Sequence, residues 1–110
     1  MVDLTFLESF AKGDRQKMKR YIQLYLNIAP STIQKMGQNI MDEDWVQLRI
    51  NAHSLKPQAD YMGIPLLKEA LVKLETEAEG GHQASLRDQH EKALALYRES
   101  ERELLEFMEG

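Results

Sequence analysis

Three histidines, eighteen carboxylates and no cysteine are the raw material for chemistry in this chain. Of these, His53 has the most suggestive surroundings. Arg49 precedes it by four residues, Lys56 follows by three, and Asp60 follows by seven. At about 100° per residue those spacings place all four on one stripe of a helix. Trp45, Leu48, Ala52, Leu55, Ala59 and Met62 recur at the same intervals on a second, apolar stripe. His53 lies roughly a third of a turn from the centre of that apolar face. An imidazole on such a flank is held by neighbours and still meets water.

Three chemistries are open to it. Metal binding needs further His or carboxylate ligands one turn away, and Arg49 and Lys56 repel a cation. General-base catalysis needs a substrate pocket, which a convex helix face does not announce. A nucleophilic imidazole that accepts a phosphoryl group suits the flanking cations best, since both offset added negative charge. Against all three stands the plainer reading that a lone histidine on a helix flank is a boundary residue. The pattern alone favours that one.

The elements that must hold this stripe are legible along the chain. Leu4, Phe6, Leu7 and Phe10 form a short apolar helix or turn ended by Lys12-Gly13. Asp14 is a natural N-cap for a second helix with Met18, Ile22, Tyr25, Leu26 and Ala29 inward. Pro30 is expected to stop it, and Ser31-Thr32-Ile33-Gln34 to open a third helix through a capping box. Asp42-Glu43-Asp44 supplies a cap and negative charge to the positive end of the histidine helix, which Gly63 ends. Pro65 fits the first turn of the next helix, with Leu67, Leu71, Leu74 and Ala78 inward. After Gly80-Gly81, Ser85 can cap a long last helix whose outer side is dense in Glu, Arg and Lys. Trp45 and the methionines read as core filling, and His82 and His90 as incidental. Short links favour antiparallel neighbours. The expectation is an all-α, antiparallel up-and-down four-helix bundle with an additional short N-terminal helix, one domain over residues 1–110.

Composition narrows the function. Hydrophobic residues make up 43% and charged residues 29% of 110, the profile of a folded helical domain. The net charge of −4 argues against nucleic acid as a main partner. No apolar run approaches a membrane span, and no signal-peptide core is present, so the cytoplasm is the expected location. Without cysteine there is neither a disulfide nor a thiolate metal site.

The run Ala52-His53-Ser54-Leu55-Lys56, with Gly63 ten residues after the histidine, resembles the signature of histidine-containing phosphotransfer (HPt) domains. Gly13-Asp14, Asp42-Glu43-Asp44 and Leu74-Glu75 also sit where that family has similar residues, so the likeness covers most of the chain. The resemblance implies a small helical bundle that relays a phosphoryl group between receiver-domain aspartates in a multistep two-component phosphorelay. It implies phosphorylation of His53 on its outward nitrogen and electrostatic support from Lys56. It also implies a possible hydrogen bond from the other ring nitrogen to Glu75, fixing the tautomer. Partners would be receiver domains and a hybrid histidine kinase, with the chain a monomeric phosphocarrier rather than a stand-alone enzyme. It would need no cofactor of its own, Mg²⁺ residing on the receiver, and no bound metal.

Two positions depart from the family pattern: Pro57 stands where glycine is usual, and Asp60 where a small residue is usual. Pro57 denies the His53 carbonyl its helical donor and is expected to bend the helix. Asp60 either pairs with Lys56 or holds it in place. Arg49, Pro57, Asp60, Tyr61, Gly63 and Ile64 are the candidate partner-contact residues, Tyr61 and Ile64 forming an apolar patch near Ala59. The alternative is a non-catalytic interaction bundle in which His53 is incidental. A metal-dependent hydrolase ranks last, because the core stripes are apolar.

Overall fold

The computed structural model describes all 110 residues, and every regular element in it is helical. In chain order these are α1 (Thr5–Phe10), α2 (Arg15–Met41), α3 (Trp45–Tyr61), α4 (Pro65–Glu77), a single 3₁₀ turn (Ala78–Gly80) and α5 (Gln83–Glu109). The caps read from the sequence form at two of the starts. Asp14 accepts a hydrogen bond from the Lys17 amide at 3.1 Å, and Asp44 accepts one from Gln47 at 3.1 Å. Pro65 occupies the first turn of α4, where its missing N–H is no loss. Ser85 caps nothing, because α5 already begins at Gln83 behind His82.

Three helix ends share one construction. After α3 the Gly63 amide bonds the Asp60 carbonyl at 3.1 Å and the Ile64 amide bonds that of Ala59 at 3.0 Å. This is a Schellman closure, and it requires the left-handed backbone that Gly63 adopts at φ +63°. The same pair of bonds closes α1 through Lys12 and Gly13, and α2 through Glu43 and Asp44. Lys12 and Glu43 sit at φ 53° and 55°, a conformation that disfavours a Cβ.

Pro30 does not end the second helix. α2 runs unbroken for 27 residues, and the two helices expected on either side of the proline are one. Ser31 donates to the Ile28 carbonyl at 3.2 Å instead of forming a capping box. The proline removes a single rung, the donor to Leu26. The Tyr97 hydroxyl reaches that carbonyl across a long 3.5 Å and shares its one proton with Glu101 at 3.1 Å. Burial against α5 supplies the rest: Met18, Ile22, Tyr25, Ala29, Ile33, Met36 and Ile40 are all buried on one continuous face. Each large side chain so placed is worth about 1.5–3 kcal/mol, enough to carry the helix through one missing bond.

The four long helices form an antiparallel up-and-down ring, α2 against α3, α3 against α4, α4 against α5 and α5 against α2. The ion pairs fix the α3–α4 register. Arg49 meets Glu79, His53 meets Glu75 and Asp60 meets Lys68, so each step up one helix is an equal step down the other. Tyr25 to Ser100, Ile33 to His90 and Ile40 to Gln83 tie α2 to α5 in the same antiparallel sense. The molecule is a rod of 43 × 21 × 19 Å, its length set by the two 27-residue helices at about 1.5 Å per residue. Because α3 and α4 are shorter, one end of the core is left uncovered by them. α1 closes it with Leu7 and Ala11, both buried, while the backbone of Asp3 hydrogen bonds to Gly63 at 3.1 Å.

Candidate functional site

α3 presents His53 on its outer flank because Ala52, Leu55 and Ala59 take the inner face. The imidazole side chain is 69% exposed. Its Nδ1 lies 2.5 Å from Oε2 of Glu75 on α4, and Oε1 of the same carboxylate lies 2.6 Å from Nζ of Lys56. One half-buried glutamate therefore serves both the histidine and the lysine one turn along. A carboxylate is an acceptor only, so in the neutral ring Nδ1 carries the proton and donates. Nε2 is then left with its lone pair toward solvent, the form a nucleophile requires. The Lys56 hydrogen bond holds the Glu75 carboxyl below its ordinary 4.5, against the opposing effect of partial burial, and the His53 hydrogen bond and both charges add to it. Glu75 is therefore ionised at neutral pH.

The remaining residues of the stripe have other partners. Arg49 pairs with Glu79 at 2.6 Å, on exposed ground where such a pair is worth little. Asp60 pairs with Lys68 on α4 at 2.9 Å and leaves Lys56 to Glu75, so neither role expected of that aspartate toward Lys56 is met. Pro57 is exposed one turn after His53, and α3 continues through it to Tyr61. The proline leaves the His53 carbonyl without its helical donor.

The apolar patch is differently composed from the expected one. Ile64 is 1% exposed and Ala59 likewise, since these are the two residues whose backbones close the Schellman turn and whose side chains point into the core. Ile64 is thereby removed from the exposed surface. Gly63 is approached by backbone, but by this chain's own: a Cβ there would lie 1.8 Å from the Asp3 carbonyl oxygen. Tyr61 does remain at the surface, half-buried, and its neighbours went unrecognised in the sequence. Phe6 stacks on it at 5.7 Å between centroids, with Phe10 at 5.8 Å and Tyr21 at 6.0 Å. The i,i+4 spacing of Phe6 and Phe10 marked a helix face, but nothing local said that the face meets Tyr61. His90 also has a partner: its Nε2 donates to the Ile33 carbonyl at 2.8 Å, over Gly37, where any side chain would crowd the ring. No three His, Asp or Glu side chains converge as a metal site would require.

The site is thus a solvent-facing histidine oriented by a glutamate on the neighbouring helix of a four-helix bundle. The profile of the Hpt domain matches residues 20–109. The chain belongs to the HPt domain family. Its function is histidine phosphotransfer in two-component signalling, and like other HPt domains it is a phosphocarrier rather than a catalytic enzyme. HPt domains work with receiver domains and hybrid kinases. No curated protein and no solved structure shows significant similarity to this HPt chain. None of its helices is long and apolar enough to cross a membrane.

Proposed function

We propose that His53 is the phosphoacceptor and that residues 1–110 act as one relay unit between receiver aspartates. The Nε2 lone pair attacks the phosphorus of an aspartyl phosphate, the P–O bond to the aspartate breaks, and the receiver's carboxylate leaves with that electron pair. The ring then carries a proton on Nδ1 and phosphorus on Nε2. Its positive charge faces the Glu75 carboxylate, which stabilises the charged ring. Lys56, held within reach by the other oxygen of Glu75, offsets the phosphoryl charge. Return to a second receiver reverses the steps. Mg²⁺ and the acidic cluster that assist transfer belong to the receiver. The protein acts as a monomer in the cytoplasm, between a hybrid kinase and its receivers.

One observation carries this reading: the exposed imidazole has its Nδ1 tied to Glu75 at 2.5 Å, leaving Nε2 outward. Incubation with a phosphorylated receiver is expected to give an acid-labile, alkali-stable label on the protein that disappears in His53→Gln. Label retained by that variant would refute the assignment. If the protein is instead a non-catalytic interaction bundle, receiver binding survives in His53→Gln and no label forms on either protein.

A further inference from the structure

Two cations flank His53 within about one helical turn, and a carboxylate holds each of them. Lys56 Nζ lies 2.6 Å from Glu75, and a terminal nitrogen of Arg49 lies 2.6 Å from Glu79. The two pairs differ in what it costs to break them. The side chains of Lys56 and Glu75 are 24% and 18% exposed, and His53 takes the other oxygen of Glu75. Withdrawing Lys56 leaves a half-buried carboxylate oxygen unpaired, which is costly. Arg49 and Glu79 are 44% and 78% exposed, so water replaces either partner and the pair holds weakly. Glu79 stands in the 3₁₀ turn beyond α4 and bonds no other side chain. The guanidinium carries five N–H donors in a planar fork, and its one side-chain partner is Glu79.

Helix geometry brings that fork to the reacting nitrogen. Side chains on an α-helix tilt toward its N-terminus, so each covers the turn that precedes its own Cα. The His53 ring accordingly lies over the turn that carries Arg49, with the two Cβ atoms about 5–6 Å apart. Nδ1 is fixed on Glu75, which leaves Nε2 toward solvent. A phosphoryl group on Nε2 stands above that turn, within reach of an extended arginine. On the other side of the ring Pro57 carries no charge, and Lys68 is engaged by Asp60.

We propose that Arg49 is a phosphoryl ligand held in reserve: when His53 is phosphorylated, its guanidinium leaves Glu79 and binds the phosphoryl oxygens. The inference rests on His53 being the phosphoacceptor. A phosphoryl group brings about two negative charges against the single charge of Glu79, and its oxygens accept the planar fork in pairs. Lys56 stays on Glu75, where it acts from a fixed position. Glu79 touches no reacting atom; it is a positioning residue that acts through Arg49.

The test measures the equilibrium of phosphoryl transfer between the whole chain and a receiver domain phosphorylated with acetyl phosphate. An equilibrium constant compares the free proteins before and after transfer, so docking contacts cancel from it. Arg49→Ala is expected to shift it about 5-fold toward the phosphorylated receiver. Glu79→Gln should shift it about 2-fold the other way, and R49A/E79Q should lose that gain. In the wild-type protein the Arg49 Nε–H signal in NMR should move when His53 is labelled by phosphoramidate, which needs no docking. An unchanged equilibrium in Arg49→Ala overturns the proposal, and slower transfer alongside it assigns Arg49 to receiver docking instead. An unmoved Arg49 signal overturns it as well, and decides the matter if Arg49→Ala does not fold. If neither phosphoramidate nor any receiver labels His53, the phosphorelay reading itself fails, and this inference with it.

Discussion

At the scale of single residues, Glu75 is the side chain on which the site turns. Two donors, His53 Nδ1 and Lys56 Nζ, converge on its two oxygens. A carboxylate satisfies both, whereas a carboxamide offers one oxygen and one NH₂ and satisfies only one. If the amide NH₂ turns toward the ring, Nδ1 must accept, and the proton moves to Nε2. Glu75→Gln is therefore expected to slow phosphoryl transfer about 10-fold, comparable to loss of a modest orienting or charge-stabilising group. Single-turnover labelling rates of the variant would measure this, and an unchanged rate would remove Glu75 from the mechanism. Lys56→Ala should produce a similar loss of about 10-fold while leaving the Nδ1 hydrogen bond in place, visible as an unaltered imidazole tautomer by NMR.

Glu75 also sets a pH dependence with a definite sign. Its carboxyl is held below 4.5 in the folded protein and returns to that value on unfolding. Its stabilising contribution is fully present above about 4.5 and is lost as the pH falls through the lowered folded value. Urea titrations from neutral pH downward should show wild type losing stability more steeply below pH 4.5 than Glu75→Gln. Parallel curves would mean that the triad contributes nothing to folding.

At the scale of elements, the helix ends make the clearest predictions. Glu43 closes α2 in a left-handed conformation that glycine adopts without strain. Glu43→Gly should raise stability by about 0.5–1 kcal/mol, measured as an upward shift in the denaturation midpoint with an unchanged slope. Gly63 is the opposite case. A methyl group there meets the Asp3 carbonyl as well as the strained φ, so Gly63→Ala should lower stability by about 2–3 kcal/mol. Hydrogen exchange would then show the first residues of the chain released before the bundle opens. A Gly63→Ala protein as stable as wild type would mean that the N-terminal segment does not pack over this turn.

Across the whole molecule, the unequal helix lengths give α1 its purpose. α2 and α5 outrun α3 and α4, and the exposed end of the core is sealed by Leu7 and Ala11. Leu7→Ala should cost about 2–4 kcal/mol in urea unfolding. Phe6→Ala, half-exposed on the same helix, should cost much less; equal losses would place both side chains in the core. The bundle thus holds the histidine on a rigid flank, while its N-terminal cap closes the core and packs Phe6 and Phe10 against Tyr61.

The amino-acid sequence by itself determined the helical class, the two faces of the histidine helix, most of the inward positions and the caps at Asp14 and Asp44. These are local: they depend on spacing, on turn chemistry and on side chains that bond within one turn. His53 and Lys56 stood out for the same reason, lying three residues apart on one stripe. The continuity of α2 was legible too, because the apolar spacing from Met18 to Ile40 runs across Pro30 without a change of phase. The helix-breaking tendency of Pro30 competes with that periodicity, and burial against α5 overrides it. Pairings between elements were decided only by tertiary structure. Asp60 turned to Lys68, Gly63 to Asp3, Ile64 to the core, and Phe6 and Phe10 to Tyr61. Each depends on which helices are neighbours and in what register. The Glu75 contact is of the same kind, suggested by a family likeness and made by the α3–α4 register. Sequence spacing places a side chain on a face, and packing decides what that face meets.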